Sequence, residues 1–335
     1  MKYAIGVALT TLMFAFGGGV STASAQAKWD YSTEYAPTAI SGRISAKFAE
    51  RVKELTDNQL TITIHYSGGL GFKSQDNYTA VEDGALPIAD TPFNRMNGIF
   101  PIFDLQSLPF LQSTFDEAEV LDRMLRPIYN NVMGKNNQFV LYTVPWTPQG
   151  IWSNRQINTI EDLRGLRIRV NDLAAVQTMK EVGADAIQMS WGDTLTGLST
   201  GSINAVLTSD DTGLSGKLPE AGLKHFAAIG FTVGLQVTHV NRDAFNDLSE
   251  ELQTAVLIAA AEAEAEGWRL ARSTVEKNLK EMENQGVSIL TDLPDEFGER
   301  LKQAAEPAIA DWKRRFGTHG ENLIAAYQSM IANAE

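Results

Sequence analysis

Glu161-Asp162-Leu163-Arg164-Gly165-Leu166-Arg167-Ile168-Arg169-Val170 reads as a turn, a glycine and a short strand. In an alternating strand Leu166, Ile168 and Val170 face a core, while Arg167 and Arg169 share the other side. Arg169 then stands at the C-terminal end of a sheet strand. Open α/β sheets bind ligands at that end. A guanidinium presents a planar fork that holds a carboxylate with two parallel hydrogen bonds. An isolated arginine is by default a solvated surface residue, so the context has to distinguish this one.

Working outward, residues 29–33 read as a strand, 41–55 as an amphipathic helix, 60–66 as a strand, 74–83 as a helix and 87–91 as a strand. This alternation predicts an α/β fold with parallel strands. Residues 116–133 form a helix broken or kinked at Pro127, followed by a strand at 139–144. Pro145-Trp146-Thr147-Pro148-Gln149-Gly150 marks a crossing into a second lobe that starts near residue 151. Strands at 166–170, 186–189 and 203–208 alternate there with helices at 172–182 and 193–200. A strand at 234–241 is expected to return to the first lobe.

Residues 249–285 contain no proline and favour helix almost throughout, with Gly286 as a stop. A single helix of that length spans on the order of 55 Å and lies across two lobes; a break at Gly267 would make it two ordinary helices. The expected organisation is a leader at 1–25, a first lobe of 26–149 plus about 235–265, and a second of 150–234 plus about 266–335.

The first residues have the pattern of an export signal. Lys2 precedes an apolar run from Ala4 to Phe16, and Ala23-Ser24-Ala25 is a small-x-small cleavage site. The expected mature chain starts near Gln26 and is exported and soluble. The 335 residues include no cysteine, which removes disulfide and thiolate chemistry. A formal charge of −13 argues against nucleic acid or an anionic membrane surface as partner. It permits an anionic ligand, because a local arginine dominates within a Debye length of roughly 8–10 Å.

The sequence has no G-x-S-x-G elbow, no P-loop and no H-E-x-x-H, and its four histidines lack metal-ligand spacing. No cofactor and no metal site are expected. Trp146, Trp152, Trp191 and Phe231 lie near strand ends or crossings, where aromatic rings make apolar walls for small ligands. About half of these four are expected to be ordinary core. Trp191, in the Ser190-Trp191-Gly192-Asp193 turn, is the best cleft candidate. Thr208, Ser209 and Asp210 end a buried strand beside that of Arg169. Asp210 pairs with Arg169, faces a cationic group, or caps the next helix. Glu34, after the first strand, is either a second acidic contact or a solvated surface residue.

The export signal, Gly69-Leu70-Gly71, the segment from Phe100-Pro101-Ile102 to Leu108-Pro109-Phe110, Ser153-Asn154-Arg155-Gln156-Ile157, residues 161–170, Gly183-Ala184 and Thr200-Gly201-Ser202-Ile203-Asn204-Ala205 occur in an informative order. Together they resemble a TRAP-type (tripartite ATP-independent periplasmic) transporter solute-binding protein of the DctP-like kind. The resemblance implies a two-lobed periplasmic binding protein fold with a long helix spanning both lobes. It implies closure on a small organic acid and delivery to a sodium-driven membrane permease. The family's carboxylate-binding arginine falls on Arg169. Gln149 stands where sialic-acid binders carry a further arginine, and Asn204-Ala205-Val206-Leu207-Thr208 replaces their Asp-Gly-Gln-Glu-Asn run. Glu34 falls where ectoine binders place an acid against the ligand's cationic group, so a zwitterionic ligand is a second option. The expected ligand contacts are Arg169, Gln149, Trp191, Thr208, Asp210, Glu34 and Phe231. A binding protein feeding a membrane sensor would look the same; a hydrolase or lyase using Asp210, Glu34 or Asp193 would need a nucleophile or metal that the sequence does not position.

Overall fold

The computed structural model describes residues 26–333 apart from 97. The expected leader at 1–25 lies outside the described residues. The first lobe is built on β1 (Ala27–Ser32), α1 (Ile40–Leu55), β2 (Leu60–His65), α2 (Ser74–Glu82), β3 (Ile88–Pro92), α3 (Phe115–Gly134) and β4 (Gln138–Pro145). The second contains β5 (Gln149–Ser153), β6 (Arg167–Val170), α4 (Leu173–Glu181), β7 (Asp185–Gln188), α5 (Trp191–Ser199), β8 (Ala205–Ser209), α6 (Asp210–Ser215) and β9 (His225–Ala227). The chain then returns through β10 (Leu235–Asn241), α7 (Arg242–Asn246) and α8 (Glu250–Asn284), and ends with β11 (Ser288–Leu290), α9 (Asp295–Phe316) and α10 (Thr318–Ala332).

Two sheets result, ordered β2-β1-β3-β10-β4 and β11-β9-β5-β8-β6-β7. β1 runs parallel to β2 and β3, while β10 enters between β3 and β4 antiparallel to both. In the second sheet β6 is parallel to β7 and β8, with Arg169 opposite Ile187 and Val206. Each sheet is covered by apolar helix faces. Ile44, Phe48 and Val52 of α1 pack over Tyr31, Leu60 and Ile88, and Ala175 and Met179 of α4 pack over Ile168 and Leu207.

α8 is one unbroken helix of 35 residues, about 52 Å long at the standard rise. Gly267 is not a break. A Cβ there would stand 3.2 Å from Val144 Cγ2, so the glycine lets the helix lie close against β4. Arg126 ties α8 to the first lobe by donating to Asp122, Thr143 and Glu264. Further along, Met282 joins the core of the second lobe. α3 likewise continues through Pro127 instead of breaking there. The last two helices were not anticipated from the sequence. α9 packs Phe297 and Leu301 into the second lobe, whereas Trp312 and Tyr327 join the cluster of Phe103 and Leu121 in the first. The chain end is therefore shared between the lobes.

Candidate ligand-binding site

A closed cavity lies between the lobes, where strand ends and helix starts of both sheets converge. It is lined by Glu34, Tyr35, Ser74, Pro92, Arg95 and Trp146 from the first lobe and the crossing, and by Gln149, Arg169, Asn171, Trp191, Thr208 and Thr212 from the second. The space between these side chains is small, about 340 Å³.

Arg169 is placed by β6. Its neighbours Ile168 and Val170 are fully buried on the core side, and the alternation sends Arg169 toward the first lobe, where it is 4% exposed. Arg167 shares that side but lies at the outer end of the strand and is exposed. Arg169 Nε donates to the Met189 carbonyl at 3.0 Å, and the guanidinium lies 5.6 Å from the Trp191 ring centroid. Its terminal nitrogens have no hydrogen-bond partner among the described residues, and no carboxylate forms an ion pair with it. Burial, followed by the nearby charge of Arg95, pulls its pKa down to about 10. It stays protonated at neutral pH, a buried cation facing the cavity.

Trp191 is the first residue of α5, which begins two positions earlier than the sequence suggests because Ser190 accepts from the Asp193 N–H as N-cap. Its ring stacks on Tyr35 at 6.5 Å and 18°, and Trp146 meets Tyr35 at 5.8 Å. Gln149 Oε1 and Asn171 Oδ1 are buried on the cavity wall without a hydrogen-bond partner. The site therefore combines two arginines that, among the described residues, bond a carbonyl and form no ion pair, with two unpaired acceptors and an aromatic wall.

Glu34 lines the cavity and is buried, so it is not a solvated surface residue. Its Oε2 accepts from Ser74 N at 3.1 Å and Ser74 Oγ at 2.6 Å, and its Oε1 accepts from Gly192 N at 2.8 Å. One carboxylate thus joins the first turns of α2 and α5, which belong to opposite lobes. Other contacts cross the cleft beside it. Arg95 Nη2 donates to Met189 O at 2.7 Å, Asn94 to Asp172 at 3.1 Å, and Ile40 N and Arg43 to Asp211 at 2.9 and 3.2 Å. Lys73 and Asp193 pair at 2.8 Å on the outer rim. This is a closed arrangement of the two lobes.

Asp210 and Phe231 do not line the cavity. Asp210 accepts from Thr147 Oγ1 on the crossing and from Asn278 on α8 at 2.9 Å, and burial raises its pKa. It neither pairs with Arg169 nor acts as N-cap; that role falls to Ser209. Phe231 is fully buried against Phe110, with ring centroids 5.3 Å apart. Its backbone N–H holds the Gln149 carbonyl at 3.0 Å, so it supports a wall residue from behind. Trp152 is also core. Tyr35, Ser74, Pro92, Arg95, Asn171 and Thr212 were not picked out by the sequence reading. Tyr35 and Asn171 sit one and two residues from expected contacts, whereas Arg95 lies in a short 3-10 turn (Phe93–Met96) with no sequence signal.

A cleft closed by two α/β lobes around a buried arginine defines a binding receptor for small anions. The chain belongs to bacterial extracellular solute-binding protein family 7, DctP, whose profile matches residues 31–315. It is similar in structure to DctP7, a Bordetella pertussis extracytoplasmic solute receptor binding pyroglutamic acid. The two are 27% identical, with a TM-score of 0.85 over 90% of this chain and 99% of that one. It is also similar to the 2,3-diketo-L-gulonate-binding periplasmic protein YiaO of Escherichia coli, 26% identical over 74% of this chain and 76% of that protein. The ectoine-binding periplasmic protein TeaA of Halomonas elongata is 24% identical over 93% of this chain and 92% of its own length. The chain is thus a TRAP-type solute-binding protein. Among the described residues no helix is long and apolar enough to cross a membrane, and no group of three potential metal-binding His, Cys, Asp or Glu side chains occurs.

Proposed function

We propose that this chain is the exported, periplasmic receptor of a TRAP transporter for a compact monocarboxylate carrying a hydrogen-bond donor, and that it delivers this ligand to the sodium-driven permease. The observation that carries the reading is Arg169, buried at the cavity with no protein partner on its terminal nitrogens. A carboxylate there accepts two charge-assisted hydrogen bonds and neutralises a cation that otherwise stays buried alone. Gln149 Oε1 and Asn171 Oδ1 ask for an N–H or O–H on the same ligand. The small volume and the Tyr35–Trp191 wall favour a flat ring. Pyroglutamate, the ligand of the Bordetella receptor, has these attributes: a carboxylate, a ring N–H and a five-membered ring.

A zwitterion of the ectoine type would place its cation at Glu34. That carboxylate already accepts three protein hydrogen bonds that hold the lobes together. This favours the plain carboxylate, with Glu34 as a closure contact. A thermal-shift panel of small carboxylates tests the proposal. A bound acid at 100 times its dissociation constant stabilises by roughly 2.7 kcal/mol. L-pyroglutamate is expected to raise Tm, and the Arg169→Ala variant to lose the response. A flat response to every carboxylate would contradict the reading.

A further inference from the structure

Asp90 is a buried acid without a counter-charge. It lies in the middle of β3, is 1% exposed, and neither carboxylate oxygen has a hydrogen-bond partner among the described residues. β10 runs antiparallel beside it, with Thr238 directly opposite Asp90 and Gln236 opposite Pro92. The strand alternation therefore puts Asp90, Thr238 and Gln236 on one face of the sheet. Gln236 is as deeply buried as Asp90, and neither its amide oxygen nor its amide nitrogen has a partner. Thr33 and Gln236 are the polar side chains that act on the carboxylate and favour its charged form, without a hydrogen bond of normal geometry. Thr238 is engaged by the Tyr31 hydroxyl at 2.7 Å. The titratable groups nearby leave the charge uncompensated. Glu34 is the charged group that acts on Asp90, and it is negative. Tyr31, Tyr35, Tyr66 and Tyr142 also feel the acid, and burial keeps these phenols protonated. His239, next to Thr238 in sequence, faces the other side of the sheet and is bonded to Thr91 and Gln138.

One carboxylate among neutral oxygens fits a single positive charge. Dedicated calcium sites use several carboxylates, and this place has one. Soft metals ask for thiolate or imidazole, and neither faces it. A hard cation holds its oxygens at about 2.3–2.6 Å, which sets them further from one another than hydrogen-bonded atoms. Buried oxygens that neighbour one another without hydrogen-bonding suit that spacing. We propose that Asp90 and the Gln236 amide oxygen, with the Thr33 hydroxyl, hold a monovalent hard cation of sodium size inside the first lobe. The site is separate from the ligand cavity, which none of the three lines. The ion neutralises the acid and ties the chain after β1 to β3 and β10. The proton is its competitor. Burial lifts the Asp90 pKa to about 7, so the carboxylate is free for a cation above that pH and protonated below it. In sodium-free buffer the ionised acid is a cost that Asp90→Asn removes; sodium removes it in the native chain alone.

The test is a set of melts of the chain from Gln26 onward, dialysed free of sodium and then given sodium chloride or choline chloride at matched ionic strength. Choline is too large for the site and controls for screening of the net charge of −13. At about pH 8, with the acid ionised, sodium is expected to raise Tm saturably, by several degrees over choline. At about pH 5 the difference is expected to vanish, because the proton holds the carboxylate. Asp90→Asn should fold and show no sodium response at either pH. Gln236→Met leaves the acid in place and should need a several-fold higher sodium concentration for half the response. Equal melts in sodium and choline at the higher pH would overturn the proposal and leave the proton as the sole occupant of Asp90. A sodium response that survives in Asp90→Asn would overturn it as well, since the ion would then bind elsewhere.

Discussion

The Arg169 guanidinium lies 5.6 Å from the centroid of Trp191 and donates its Nε to the carbonyl two residues before that ring. A buried cation is thus oriented by a ring face and one carbonyl, with its terminal nitrogens unbonded among the described residues. Arg169→Ala is expected to cost about 2–5 kcal/mol of carboxylate binding. Arg169→Met should bind as poorly while folding at least as stably as the native chain, since an apolar replacement removes an unpaired buried charge. Paired calorimetric titrations and melts check both. A melt that collapses in Arg169→Met would make the arginine a structural residue.

Trp191 can be moved without being touched. A Cβ on Gly216 would sit 2.3 Å from Trp191 Cζ2 and 3.0 Å from the Thr212 carbonyl. Gly216→Ala should displace the indole into an already small cavity, at an overpacking cost of about 1–3 kcal/mol. Ligand affinity should fall alongside stability, with a change in the tryptophan fluorescence of the bound state. Native affinity in this variant would show that the ring does not shape the site.

Glu34 distinguishes the two ligand readings. Glu34→Gln removes the charge that serves the starts of α2 and α5 together. As a closure contact, its loss should weaken plain carboxylates and zwitterions alike, by roughly tenfold. Titrating the variant with L-pyroglutamate and with ectoine compares them. Loss confined to the zwitterion would make Glu34 a cation-binding residue.

Asp90, buried on β3 in the first lobe, gives a pH signature. Burial outweighs its neighbours Thr33 and Gln236 and lifts its pKa to about 7, from the ordinary 3.8. Below about pH 4 the group is protonated whether the chain is folded or not. Between about pH 4 and 7 the unfolded chain releases the proton while the folded chain keeps it, so this group makes stability fall as pH rises. Asp90→Asn should remove that slope and stabilise the protein above pH 7 by a few kcal/mol, since each tenfold difference in proton affinity between the folded and unfolded chain is worth about 1.4 kcal/mol. Melts from pH 4 to 8 check it, and an unchanged slope would contradict it.

The alternation at 166–170 was enough to place Arg169, because one face of a sheet strand must be apolar and its last outward residue then meets the cleft. The 35-residue helix was equally legible, its ends marked by Ser249 and the glycine after Gln285. Other features depend on three-dimensional partners. Asp210 has the same local sequence whether it faces a ligand, caps a helix or binds Asn278; its partner lies 68 residues away on α8. Phe231 at a strand-like turn could not be separated from a wall residue until Phe110 was seen to cover it. Arg95 is invisible locally, since only lobe closure brings it to Met189. α9 and α10 divide their apolar residues between two cores, so neither core explains their pattern alone.

Arg169 as the anchor of a small carboxylate between the lobes is open to one direct measurement. It is the calorimetric titration of L-pyroglutamate into native and Arg169→Ala protein. The predicted result is saturable one-to-one binding by the native chain, and loss of about 2–5 kcal/mol in the variant with an unchanged ligand-free melt. Equal affinity in the two proteins would contradict it.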